Sequence, residues 1–475
     1  MDTIALIPLP QMISSNTGSL PLTSLQSYSV PNSKSVWTQE LTKFWQETFQ
    51  KGIENTTEGD LSFVLDETIK GHESYQIAVQ KTGIEVRALS EEGLYRAWQT
   101  LQQFLVFSKD NGALPLVAIT DGPSFSYRGV MLDVARHFFS VAEVKRLIDL
   151  MALYKFNFLH LHLSDDQGWR IEIKSWPQLT EIGGVSEVGG TAGGYYTQEE
   201  YTDLVTYAAN RFITVVPEID MPGHTNAALN AYPSLNCDGK APPIHTGIEV
   251  GFSSLCIDKP ITYEFVDDVV RELAAITPGP YVHIGGDETH ATPNDQFIKF
   301  IDSILPKVKR YGKTPMGWFE TRVSHYSGTM VSQYWANEGN EPLKVSKGNP
   351  IVMSPSSFSY MDMKYDSLSK HGLFWAGYIN AKKAYEWDPL QLVDVLPSED
   401  IIGIEAPLWS ETISDTIGMD YMLFPRLLGY AEIGWTNDSL RKWESYQKRV
   451  QPQLIWLKDK NVKPYASPFF DSNQN

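Results

Sequence analysis

Positive charge is scarce in this chain: 39 Lys and Arg stand against 57 Asp and Glu in 475 residues, a formal net charge of −18. Such a surface repels phosphate backbones, so nucleic acid is not an expected partner. Cysteine is scarcer, with only Cys237 and Cys256. Both lie in one segment, Tyr232 to Lys259, where a disulfide and two free thiols are equally open readings. No CxxC or Cys/His spacing suggests a metal site. No apolar run is long enough to span a bilayer, which argues against a membrane partner. The opening MDTIALIPLP has no basic n-region and is broken by prolines, so no signal peptide is expected. These absences predict a soluble protein and leave the cytoplasm and the exterior both open. Internal repeats and low-complexity tracts are also missing, and nothing in the pattern speaks to oligomeric state.

Aromatic residues are plentiful, with 13 Trp and 23 Tyr. Flat apolar faces with a polar edge suit the C–H faces of sugar rings as well as protein cores. The organisation changes near Ala118–Ser124. Before it, alternating runs at Leu61–Leu65 and Tyr75–Val79 read as strands, and Ser90–Phe107 reads as an amphipathic helix with a Ser/Glu start. Residues 1–123 therefore form an expected small α+β domain. From Tyr127 onward, short apolar runs alternate with helical stretches such as Val141–Tyr154, Gln198–Asn210, Ile261–Ile276 and Asn294–Tyr311. The strand candidates are Gly129–Asp133, Phe158–Leu163, Thr214–Glu218, Tyr281–Ile284, Thr314–Trp318, Met330–Tyr334, Ile351–Ser354 and Ile401–Glu405. That alternation predicts an α/β fold, a (β/α)8 TIM barrel over residues 124–475.

Polar and aromatic residues gather just after these apolar runs, where such barrels build active sites. YVHIGGDETH ends a strand in two glycines and two adjacent acids, Asp287 and Glu288. Mutual repulsion of adjacent acids can lift one toward the range an acid catalyst needs, although a solvated acid pair is the bland alternative. His160 and His162, two apart on a strand, face the same way. They read either as hydrogen-bonded interior histidines or as ligands of a metal-dependent hydrolase, with His224 and His283 as further donors. VVPEIDMPGHTN supplies Glu218, Asp220 and His224. Arg136 carries a fork able to hold two oxygens, and otherwise reads as an ion-pair partner. Trp318, Trp335, Trp375 and Trp409 stand at four later positions able to wall one cavity.

Taken in order, LDVARHFF, HLHLSDDQGWRIEIKSWP, PEIDMPGHTNAAL, HIGGDE, YMDMKY, EAPLWSET and FPRLLGYAEIGW resemble glycoside hydrolase family 20, the β-N-acetylhexosaminidases, and particularly its bacterial members. The resemblance spans about Tyr127 to Trp435. It implies exo-acting hydrolysis of terminal non-reducing β-linked GlcNAc or GalNAc from oligosaccharides or glycoconjugates, with retention and no cofactor or metal. It also implies roles by position. Glu288 matches the general acid/base and Asp287 the residue that orients the 2-acetamido group. Tyr360 matches the hydroxyl that hydrogen-bonds the acetamido oxygen. Arg136 and Glu411 match groups holding sugar hydroxyls, and Asp362 looks like a further substrate-contacting acid. Trp318, Trp335 and Trp409 look like the wall around the sugar, Trp375 an outer platform, and Asp165 with His224 a relay to Glu288. Ordinary retaining glycosidases place two carboxyls about 5–5.5 Å apart across the bond, an awkward task for sequence neighbours; this family is a substrate-assisted exception. The alternatives are the metal-dependent hydrolase and a carbohydrate-binding protein without turnover.

Overall fold

The computed structural model describes residues 4–32, 35–336, 348–393 and 396–470. Seven strands form one sheet: β1 (Met12–Pro21), β2 (Ser27–Ser29), β3 (Glu54–Asn55), β4 (Leu61–Leu65), β5 (Tyr75–Gln80), β6 (Gly83–Ala88) and β7 (Ala113–Asp121), in the order β1-β7-β5-β6-β4-β2-β3. Tyr75, Ile77 and Val79 are buried on one face of β5, as the period-two pattern of strands requires. The helix Glu91–Ser108 packs on that face. Its first turn is capped by Ser90 Oγ, which accepts from Gly93 N–H at 3.1 Å. β1 gave no alternating signal because almost every residue of it, mostly Ser, Thr and Asn, is exposed.

The remaining strands close a parallel barrel: β8 (Tyr127–Asp133), β9 (Phe158–His162), β10 (Thr214–Glu218), β11 (Tyr281–His283), β12 (Thr314–Trp318), β13 (Val331–Tyr334), β14 (Ile351–Met353) and β15 (Ile401–Leu408). Every expected strand is present, and β15 runs three residues further than its apolar pattern indicated. Among the described residues, the expected helices also form. Val141–Leu153 and Gln198–Ala209 begin in capping boxes, Ser140 with Glu143 and Thr197 with Glu200, which satisfy otherwise orphaned N–H groups.

Register decides what meets at the mouth. Asp133 pairs with His162, His162 with Glu218, and Glu218 with His283, so four polar side chains form one layer at the C-terminal ends of neighbouring strands. All four are at most 0% exposed. The sheet and the barrel are joined by buried ion pairs: Glu73 takes Arg96 Nε at 2.9 Å and Arg128 Nη1 at 3.0 Å, and Lys155 meets Asp121 at 3.1 Å. Cys237 and Cys256 are disulfide-bonded, which decides between the two readings of that segment. No helix among the described residues is long and apolar enough to cross a membrane.

Candidate active site

The two adjacent acids singled out from the sequence stand on the turn that leaves β11. Gly285 and Gly286 have φ of 65° and 99°, and a Cβ would drive the first into the Asp220 carboxylate and the second into the Thr321 methyl. No side chain fits there, so the turn stays tight and delivers Asp287 and Glu288 to the barrel mouth. Glu288 itself has φ 44° and His224 has φ 54°. Left-handed backbone at a non-glycine residue costs on the order of 1 kcal/mol or more and persists only where the surroundings enforce it.

A cavity of about 330 Å³ opens at this mouth. Arg136, His224, Asp287, Glu288, Trp335, Tyr360, Asp362, Trp375, Trp409 and Glu411 line it, ten of the twelve residues singled out from the sequence. Asp165 and Trp318 lie behind its wall. Trp318 has no exposed surface, packs 5.7 Å from the Trp409 ring and donates to Glu218 at 2.8 Å, so it reaches the cavity only through Trp409. Asp165 sits under Arg136 and His224. Sequence reading passed over Ile248 and Val250, which line the cavity from an irregular loop where no periodicity could mark them. It also passed over Asp133, which sits inside a recognised motif and whose carboxylate lies 3.4 Å from Arg136 Nη1. A larger groove of about 860 Å³ lies at the opposite end of the barrel, against the sheet domain. Its Glu73 is already committed to two arginines, and it gathers no comparable acid and aromatic set.

Aromatic rings join into one continuous wall. Trp335 meets Trp375 at 6.4 Å, Trp375 meets Tyr360 at 5.8 Å, and Tyr360 meets Trp409 at 6.3 Å. The first two pairs are edge-on, a geometry that suits ring quadrupoles, and the third is tilted. Trp335 is further fixed by donating Nε1–H to Glu320 at 3.0 Å, a partly buried acid not assigned a role from the sequence. Trp375 remains 52% exposed and marks the outer edge.

Charge is distributed unequally. Burial, then the neighbouring Asp220 carboxyl, push Asp287 well above the usual carboxylate range. Adjacency to Glu288 adds to this but is not its main cause. Asp287 Oδ1 is buried and has no hydrogen-bond partner among the described residues. Burial pushes Asp220 up to about 7, and its Oδ1 accepts from Gly286 N–H at 2.9 Å. Burial and Glu411 likewise raise Asp362 well above its ordinary value. Burial would raise Asp165 too, but Arg136 at 2.9 Å and His224 at 3.1 Å outweigh it and hold the acid well below the usual range. Burial opposes a charge on His224, yet Asp165 and Asp220 keep the ring well above an ordinary imidazole. Its Nε2 points to the acid pair, 3.6 Å from Glu288 Oε2 and 3.9 Å from Asp287 Oδ2.

Several of these groups stand close enough to hold a cation, including His160, Glu218 and His283. The ring nitrogens of His162, however, lie 2.7 Å from Glu218 and 2.7 Å from Asp165. Both must carry protons to bond two carboxylates, so that ring has no lone pair left for a metal. His160 differs: its Nδ1 bonds Glu405 at 2.9 Å, while its Nε2 lies 2.9 Å from Glu218 without a hydrogen bond of good geometry. The pair of histidines belongs to an internal charge network.

Residues 125–296 and 290–438 match the glycosyl hydrolase family 20 catalytic domain, and residues 3–122 match domain 2 of the same family. A curated β-N-acetylhexosaminidase of Cellulomonas fimi is 42% identical over 403 residues, covering 84% of this chain and 81% of that protein. Streptomyces plicatus N-acetyl-β-hexosaminidase, solved in complex with Thio-NAglucal, superposes with a TM-score of 0.93 at 42% identity and covers 98% of this chain and 97% of its own. A mutant of that enzyme bound to the product GlcNAc gives the same TM-score of 0.93 at 41% identity, with the same coverage of 98% and 97%.

Proposed function

Since the chain belongs to glycosyl hydrolase family 20, we propose that it removes terminal non-reducing β-linked N-acetylhexosamine, with the acetamido group of the sugar as nucleophile. The observation that carries this reading is the unequal acid pair. Asp287 is buried with an unpartnered oxygen, while its neighbour Glu288 opens to the cavity with a side chain 32% exposed. One acid suits a clamp and the other a proton carrier.

The sugar packs on Trp409, and Arg136, Asp362 and Glu411 take its hydroxyls. Arg136 is preset for this, since Asp165 and Asp133 hold its guanidinium and the Trp409 ring lies 5.0 Å from it. The acetamido group enters between Tyr360 and Asp287. Tyr360 donates to the amide oxygen, and Asp287 Oδ1 accepts from the amide N–H. The amide oxygen then attacks C1 as Glu288 gives its proton to the glycosidic oxygen. Holding the attacking group in line replaces a bimolecular encounter, for which effective molarities reach about 10⁵–10⁸ M. An oxazolinium ion forms, and the Asp287 carboxylate, bonded to the N–H of that ring, stabilises its positive charge. That attraction acts in a dry aromatic site where it is strong. Glu288, now a carboxylate, removes a proton from water, which attacks C1 from the side the leaving group vacated as the bond from C1 to the amide oxygen breaks and the acetamido group is restored. Two inversions give net retention.

The first test compares an aryl N-acetyl-β-glucosaminide with the matching β-glucoside. The reading expects turnover of the amide-bearing sugar alone. Equal hydrolysis of both would refute it.

A further inference from the structure

The charge network beneath Asp165 extends further than the relay to Glu288 needs. Its members are Glu405, His160, Glu218, His162 and Asp165, each with a side chain that is 0% exposed. Glu405 Oε1 lies 2.9 Å from His160 Nδ1, His160 Nε2 lies 2.9 Å from Glu218 Oε2, and that oxygen accepts from His162 Nδ1 at 2.7 Å. His162 Nε2 then donates to Asp165 Oδ2 at 2.7 Å. Asp165 Oδ1 in turn accepts from His224 Nδ1 at 3.1 Å, and His224 Nε2 faces Glu288. Glu218 also accepts from the Trp318 indole, which backs the cavity wall. Of this chain of contacts the mechanism above uses only Glu288, as proton carrier, and Asp165, as a holder of Arg136.

We infer that His162 is a positioning residue for proton delivery: clamped between Glu218 and Asp165, it fixes the orientation and charge of Asp165, and through His224 it stabilises the Glu288 carboxylate left when the leaving group takes the proton. This inference rests on the reading of Glu288 as general acid. The physical argument is one of competing demands on a single oxygen pair. Asp165 accepts from His162, His224 and the Asp166 N–H while pairing with Arg136, and losing the 2.7 Å bond from His162 leaves Oδ2 to Arg136 alone, with Oδ1 still held by Asp166 N–H at 2.6 Å. The carboxylate can then pivot about that bond toward Arg136 and loosen its hold on His224. The ring is packed edge-on against Trp409 at 4.9 Å, and the charged groups around it are Glu218, Asp165 and Asp220. A cation trapped among carboxylates and an indole, away from solvent, contributes little to stability by itself. Its bonding pattern points instead to orientation of the next acid in line.

The discriminating variants are H162N and H162Q. The asparagine amide reaches the Nδ1 position and keeps the bond to Glu218, whereas the glutamine amide reaches the Nε2 position and keeps the bond to Asp165. Both are assayed on aryl N-acetyl-β-glucosaminides running from dinitrophenyl to unsubstituted phenyl. For H162N, kcat/KM on the poorest leaving group should fall by about a hundredfold, within the usual reach of acid catalysis, while the best leaving group changes little. H162Q should lie between H162N and wild type. A merely structural role predicts a parallel loss on every substrate, and a parallel loss in folded H162N overturns the inference. If H162N does not fold, H162Q decides alone: its dependence on leaving group must be steeper than wild type, and an equal slope overturns the inference. A wild-type enzyme that hydrolyses none of the series would fail the general-acid reading first, and the inference with it.

Discussion

Asp287 and Glu288 share a peptide bond, yet the side chain of the first is 11% exposed and that of the second 32%. The glycines before them and the left-handed backbone at Glu288 produce this difference. It divides one acid pair into two chemically distinct groups, and the division can be tested residue by residue.

Replacing the exposed acid removes the proposed proton carrier. Glu288→Gln should lower kcat/KM for poor leaving groups by about 10²–10⁴, the usual contribution of general acid catalysis. Activated aryl substrates, which need little protonation, should suffer less in the first step. Unchanged turnover of an unsubstituted phenyl glycoside by the folded variant would remove Glu288 from its role.

Replacing the buried acid removes the proposed clamp. Asp287→Asn keeps the shape but cannot become an anion beside the oxazolinium ion. The first chemical step should slow by about 10²–10³, comparable to losing one preorganised transition-state partner. Because the clamp acts on the nucleophile, the loss should persist with dinitrophenyl leaving groups. Pre-steady-state release of dinitrophenol measures this directly, and a wild-type rate would place the acetamido group elsewhere.

Asp220 offers a test in stability. Burial pushes it up to about 7 from an ordinary 3.8. Between those values the folded protein holds a proton that the unfolded chain has released, so stability falls as pH rises through this window. Asp220→Asn removes the titration. Whatever offset the amide introduces, the Tm of the variant relative to wild type should improve by a few degrees between about pH 4 and pH 8. Differential scanning at the two ends gives the comparison, and a Tm difference independent of pH would mean that Asp220 ionises normally.

Much of this arrangement was legible from residue order. The barrel strands carried apolar runs of the right length, and the polar residues following them marked the mouth, because parallel barrels bury both faces of each strand. The sheet was less legible. Its strand Met12–Pro21 is exposed almost throughout and carries no burial pattern to read. Ile248 and Val250 reach the cavity from a loop held by a disulfide whose pairing two cysteines alone did not decide. Trp318 shows the limit of motif reading. Its position by the strand end was evident, but register and the bond to Glu218 turn it behind the wall. The partners of Asp165 were hidden for the same reason, since they depend on which residues neighbouring strands bring level.

The most direct measurement of the central claim varies the nucleophile itself. Aryl β-glucosaminides bearing N-acetyl, N-fluoroacetyl, N-difluoroacetyl and N-trifluoroacetyl groups differ little in size but progressively in the electron density of the amide oxygen. Attack by that oxygen predicts a steep, stepwise fall in kcat/KM across the series. A flat series, with the trifluoroacetyl sugar cleaved as readily as the acetyl one, would show that a protein group or water attacks C1.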